Sequence, residues 1–92
     1  MIESFAHKGL KRFYEDDDGR KLPADMLERI SIVLAAIDDT QTIEDLNRPS
    51  FRLHKLSGKM KDFWSVTVRA NWRIIFRFED GHARDVNFID YH

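Results

Sequence analysis

WSVTVRANWRIIFRFEDGHARDVNF, residues 64–88, turns the chain from a helical period to a period of two. Trp64, Val66 and Val68 alternate with Ser65 and Thr67; Trp72, Ile74, Phe76 and Phe78 alternate with Arg73, Ile75 and Arg77; Val86 and Phe88 alternate with Asp85 and Asn87. Each run therefore has one apolar face. A slip of one residue would turn Phe76 to solvent and bury Arg77, so keeping the apolar faces together fixes the register. Around the turn EDGH this pairs Ile74 with Phe88 and Phe76 with Val86, across a three-residue loop Asp80-Gly81-His82 with Gly81 free to take a positive φ. A two-residue loop would instead set Phe76 against Asp85. The same logic pairs Val66 with Ile74 and Leu53 with Trp64, giving a meander of four antiparallel strands that begins near Phe51.

Upstream, the period is helical. Leu27, Ile30, Leu34 and Ile37 predict an amphipathic helix over residues 24–38, with Pro23 in its first turn. Leu10, Phe13 and Tyr14 suggest a shorter first helix, weakened by Gly9, and residues 2–5 read as a short strand. The acidic run over residues 15–21 reads as a loop, because acid at a helix C-terminus is repelled by the dipole. Residues 42–46 add a turn of helix before Pro49. The expected class is α+β: an antiparallel sheet of four to five strands with two N-terminal helices packed on one face.

With 92 residues, 42% hydrophobic and 34% charged, the chain fits one domain over residues 1–92. It has no cysteine, so neither a disulfide framework nor a thiolate metal cage is available. No apolar run approaches the roughly 18 residues of a membrane span, and the N-terminus lacks the pattern of a secretory signal. A cytoplasmic protein is expected, with no membrane partner.

The net charge of −1 conceals a dipole: residues 1–46 carry six Lys/Arg against eleven Asp/Glu, and residues 47–92 carry nine against five. Between residues 47 and 77, Arg48, Arg52, Lys55, Lys59, Lys61, Arg69, Arg73 and Arg77 face one acid, Asp62. Such a density suits an anionic partner, most simply a phosphate backbone. A solvated surface balanced by the acidic half explains the charge count equally well.

The sheet face turned away from the core should carry Arg52, His54, Ser65, Thr67, Arg73, Ile75, Arg77, Asn87, Ile89 and Tyr91. In register, Arg52, Thr67, Arg73 and Ile89 form one row across the strands and His54, Ser65, Ile75 and Asn87 the next, with Tyr91 diagonal to Arg73. These groups suit RNA cleavage by the neighbouring 2'-hydroxyl, which needs a base, an acid and a cation to stabilise the phosphorane. Arg73 offers a planar fork for two phosphate oxygens. His54 and His92 are candidates for acid and base, the roles for which imidazole is suited. Taken singly, each has an ordinary explanation: a solvated arginine, a surface histidine, a frayed last residue, a packing tyrosine. Trp64 and Trp72 have the inward parity and read as core. The four histidines lack metal-ligand spacing and no glycine-rich phosphate loop occurs, so no metal or nucleotide cofactor is expected.

NRPSFRLHKLSG at residues 47–58, WSVTVRANWRIIF at residues 64–76 and the terminal DYH resemble the HigB toxins, or plasmid maintenance system killer proteins, of the RelE/ParE superfamily. The likeness runs the whole chain, including the N-terminal MIxSFxHKGL pattern. It implies a RelE-like fold and a type II toxin: a ribosome-dependent mRNA endonuclease that enters the decoding A site against 16S rRNA and halts translation. It also implies a partner antitoxin of the HigA kind with a helix-turn-helix domain. The family's functional positions fall on His54, Arg73, Tyr91 and His92. Some members carry a lysine where this chain has Ser57, and Lys55, Lys59 or Lys61 stand near enough in sequence to substitute. The antitoxin surface is not disclosed; the acidic residues 15–18 and the helix over residues 24–38 are candidate contacts beside the plainer reading of a solvated loop. Two other functions fit the basic half: a non-catalytic toxin that binds DNA gyrase, and a plain RNA- or protein-binding module.

Overall fold

Four strands form one antiparallel sheet in chain order: β1 His54–Lys55, β2 Trp64–Arg69, β3 Trp72–Glu79 and β4 His82–Asp90. The structure is a computed structural model that describes residues 1–91; the expectation for His92 lies outside the described residues. Helix α1 spans Lys8–Asp16 and α2 spans Leu27–Asp39. Single 3₁₀ turns occupy Ala24–Met26, Ile43–Leu46 and Gly58–Met60.

The period-two pattern does what its parity requires. Val66, Val68, Ile74, Phe76, Val86 and Phe88 are buried on one side of the sheet against Leu10, Ile30, Val33, Leu34 and Ile37 of the helices. Burying each of these larger aliphatic or aromatic side chains contributes about 1.5–3 kcal/mol. Trp64 and Trp72 face the same core, and Trp72 stacks on Phe88 at 4.7 Å between ring centres. Among the described residues no helix is long and apolar enough to cross a membrane.

Ile74 pairs with Phe88 and Val66 with Ile74, as the pattern predicts. The turn between β3 and β4 differs from the expectation. Glu79 pairs with His82, so the loop is Asp80-Gly81 alone, with φ of 52° and 80°. Two successive positive φ angles are what a tight hairpin of matching twist demands. The one-residue offset is absorbed by a bulge: Ile75 pairs with Asn87 but Arg77 with Arg84, leaving two β4 residues opposite Phe76. Asp85, with φ of 53°, is the inserted residue, and Phe76 and Val86 both stay buried.

The first strand is also corrected. Lys55, not Leu53, lies opposite Trp64, while His54 pairs with Ser65. The His54–Ser65 row is the expected one, and only the partner of Trp64 differs, by two residues, which leaves the inward parity unchanged. The N-terminal strand is reduced to isolated parallel bridges of Ile2 with Ala83 and Phe5 with Val86. At the other expected loop, Glu15 and Asp16 remain helical, and the chain leaves α1 only at Asp17 in a left-handed conformation. Pro23 precedes the 3₁₀ turn that leads into α2 rather than lying inside the helix. Residues 42–46 do form a turn, closed by a reciprocal capping box between Thr42 and Asp45.

Candidate active site

On the sheet face opposite the helices, Arg52, Leu53, His54, Leu56, Ser65, Thr67, Arg73 and Tyr91 line a cleft of about 330 Å³. The rows across the strands explain why. His54, Ser65, Ile75 and Asn87 align, and so do Thr67, Arg73 and Ile89. Three of the four catalytic candidates thus share one concavity; His92 is not among the described residues.

Arg73 rises from the middle of its row and is half-buried. Its Nη1 donates to the carbonyl of Ala70 at 2.6 Å and to that of Trp72 at 3.4 Å. Among the described residues, no carboxylate lies within 4.0 Å of it. Tyr91 is 43% exposed, and its backbone amide donates to the carbonyl of Asn71 at 2.7 Å. Both groups are therefore tied to the Ala70–Asn71 turn between β2 and β3, where Ala70 takes a φ of 52°. His54 is exposed on the edge strand.

The cleft wall is held from behind. Arg29 of α2 donates through Nη2 to the carbonyls of Ser50 at 2.5 Å and Thr67 at 3.3 Å, and lies 5.1 Å from the centre of the Phe51 ring. Phe51 in turn accepts from the Thr67 amide at 2.8 Å through its carbonyl. These bonds dock the turn that carries Arg52, whose φ is 49°, onto β2. Sequence reasoning missed Arg29 because one cation on an amphipathic helix carries no signal of its target.

The outer face is less exposed than its parity suggested. Ser65 and Ile75 are 4% and 1% exposed, so neither is available as a surface group. Leu56 is buried as well, outside the main core, with its amide bonded to the carbonyl of Phe63 at 3.0 Å. The segment after β1 folds back and gives this face a small apolar patch of its own.

The expected RNA-contact residues divide into groups. Arg52 lies in the cleft. Arg48 sits 5.1 Å from the Phe51 ring, and Lys59 and Lys61 are exposed around the 3₁₀ turn that follows Ser57. Lys55 lies over the Trp64 ring at 4.7 Å, and its pairing with Trp64 puts it on the helix side of the sheet. Arg69 is engaged by Asp25 at 2.6 Å and Arg77 by Asp85 at 3.5 Å. The basic segment is thus one cleft with scattered cations around it, partly neutralised from the acidic half. Among the described residues, no three His, Asp or Glu converge in a way that could hold a metal ion.

A family model described as a RelE-like toxin of the type II toxin-antitoxin system HigB matches residues 3–92. A relative from Proteus vulgaris named endoribonuclease HigB is 48% identical over 92 residues, covering the whole of both chains. Toxin HigB-1 from Vibrio cholerae is 33% identical, over all of this chain and 98% of that one. The fold is shared with the toxin in the YoeB-YefM toxin-antitoxin heterotetramer from Staphylococcus aureus, at a TM-score of 0.63 and 18% identity, covering 100% of this chain and 95% of that one. YafQ from E. coli aligns at a TM-score of 0.60 and 16% identity, covering 96% of this chain and 89% of that one. The match along nearly the whole sequence, together with the two-helix and four-strand architecture, means that this chain belongs to the HigB-like family of RelE-like toxins of type II toxin-antitoxin systems.

Proposed function

We propose that this endoribonuclease toxin cuts messenger RNA in the decoding A site of the ribosome, and that His54, Arg73, Tyr91 and His92 carry the chemistry. The single observation that supports it most is the cleft that gathers His54, Arg73 and Tyr91 on one face of the sheet. Arg73 supplies the phosphate contact: its fixed charge and fork geometry suit the growing negative charge on the phosphorane. A base takes the 2'-hydroxyl proton, the O2'–P bond forms and the P–O5' bond breaks. An acid then protonates the departing 5'-oxygen. His54 and His92 are assigned these two proton transfers, and Tyr91 lines the same cleft as Arg73. The products are a 2',3'-cyclic phosphate and a 5'-hydroxyl, with no metal in the scheme.

Arg52, Arg48, Lys59 and Lys61 are proposed to hold message and 16S rRNA beside the cleft. Lys55, Arg69 and Arg77 would have to leave Trp64, Asp25 and Asp85 to do the same. As a type II toxin the chain has an antitoxin partner. We assign it a helix-turn-helix antitoxin of the HigA kind and place the activity in the cytoplasm, where ribosomes translate.

In vitro translation with mapping of message ends tests this reading. New 5' ends inside translated codons, dependent on ribosomes, are expected. Intact message with inhibited gyrase supercoiling would replace it with a gyrase-binding toxin.

A further inference from the structure

Beside the cleft the sheet loses a ladder bond, and a helix side chain replaces it. His54 stands opposite Ser65, and the same count would set Arg52 opposite Thr67. Instead β1 begins only at His54, Arg52 takes a φ of 49°, and the Thr67 amide donates to the Phe51 carbonyl at 2.8 Å. Arg52 is thus pushed out of the ladder, as the extra residue of a bulge is. The Phe51 amide donates to the Arg48 carbonyl at 3.0 Å, which leaves the Thr67 carbonyl without a donor from its neighbouring strand.

The missing donor comes from α2. Nη2 of Arg29 donates to the Thr67 carbonyl at 3.3 Å and to the Ser50 carbonyl at 2.5 Å, one on each side of the break. Its guanidinium lies 5.1 Å from the centre of the Phe51 ring, which is 1% exposed. Among the described residues no carboxylate stands within 4.0 Å of Arg29, so the backbone is what it serves. Arg29 itself is not in the cleft wall, but it ties two parts of that wall together. The segment after Ser50 carries His54, and Thr67 stands in the row of Arg73.

We infer that Arg29 is a positioning residue for RNA cleavage: by holding the carbonyls of Ser50 and Thr67 at once, it sets His54 at its working distance from Arg73. The inference rests on the assignment of His54 and Arg73 to the chemistry, proposed above. Proton transfer and phosphate binding at one phosphodiester need both groups in place together, and a displacement of about 1 Å costs about 10²-fold in rate. The rigid fork of a guanidinium fixes the two acceptors, which a flexible ammonium or a single amide does less well.

The test is single-turnover cleavage of message on translating ribosomes at increasing toxin, for wild type, Arg29→Gln, His54→Ala and the double variant, each well below its melting temperature. Arg29→Gln should lower the rate at saturating toxin about 10- to 100-fold. The toxin concentration for half-saturation should stay within about twofold, because positioning acts on the chemical step rather than on binding. Arg29→Lys, which keeps the charge, should lose less. In the His54→Ala background the Arg29→Gln loss should shrink below about threefold, since a group acting through His54 has nothing left to position. A wild-type saturating rate in Arg29→Gln would overturn the inference. So would a loss that multiplies in full with that of His54→Ala, or one matched by the unfolded fraction, either of which makes Arg29 a packing residue. If Arg29→Gln does not fold, Arg29→Lys takes its place in the same cycle under the same criteria. Wild-type toxin that leaves message intact would remove the ribosomal reading, and full activity in His54→Ala would remove the role of His54; both take this inference with them, whereas the Arg29 outcomes leave that reading standing.

Discussion

Arg73 and Tyr91 hang from adjacent carbonyls of one turn: Arg73 Nη1 donates to Ala70 at 2.6 Å, and the Tyr91 amide to Asn71 at 2.7 Å. The turn is a common anchor for a guanidinium from β3 and a phenol from the C-terminal end of β4. A backbone anchor survives side-chain replacement, so each group can be removed without releasing the other.

Arg73→Ala should lower cleavage about 10²- to 10³-fold, the usual cost of losing one oxyanion-type contact. Stability should fall by only about 1 kcal/mol, because a single hydrogen bond to a turn carbonyl is lost. Rates of message cleavage and denaturant unfolding measure the two effects. Full activity in the variant would remove Arg73 from the site.

Tyr91→Phe removes the hydroxyl and keeps both the ring and the amide bond to Asn71. The expected result is cleavage reduced about 10²-fold with melting unchanged. Equal loss of rate and stability would make Tyr91 a packing residue.

Helix α1 should fray in acid. His7 caps it by accepting the Leu10 amide at Nδ1, and burial holds the imidazole pKa below its ordinary value of 6.5. The folded state thus resists the proton that the unfolded chain accepts. The stabilisation is complete above about pH 6.5 and is lost as pH falls through the unfolded and then the folded pKa. Amide exchange at Leu10 should speed up below neutrality, and His7→Asn, a cap that does not titrate, should abolish that dependence.

Gly9→Ala should destabilise the protein although alanine favours a helix by about 1 kcal/mol. The added methyl would meet the His7 ring and the Lys21 Cβ at 2.8 Å, and one of them must move. A raised melting temperature would show that the segment yields freely.

How much of this was legible in the sequence follows from what each signal encodes. The period-two runs identified four strands, the pairing of Ile74 with Phe88 and the rows that gather His54 and Arg73, because parity and register are linear properties. Pairing by counting, however, has no place for an inserted residue, so it predicts a three-residue loop where the chain has a bulge at Asp85 and the shorter Asp80-Gly81 turn. Parity also says which face a residue takes but not what covers it. Ser65 and Ile75 were expected on an open surface and are buried. Charge counts could not reveal that Asp25 and Asp85 reach Arg69 and Arg77, since those ion pairs join separate elements or cross a bulge. Gly9 read as a weakness in α1, whereas its role lies in a contact twelve residues away in sequence with Lys21.

The most direct check on the chemistry is to identify the end groups on RNA cut by the purified toxin on translating ribosomes, with a chelator present. Attack by the neighbouring 2'-hydroxyl predicts a 2',3'-cyclic phosphate on one fragment and a 5'-hydroxyl on the other, both missing with Arg73→Ala. A 3'-hydroxyl and a 5'-phosphate, or cutting that the chelator stops, would contradict it.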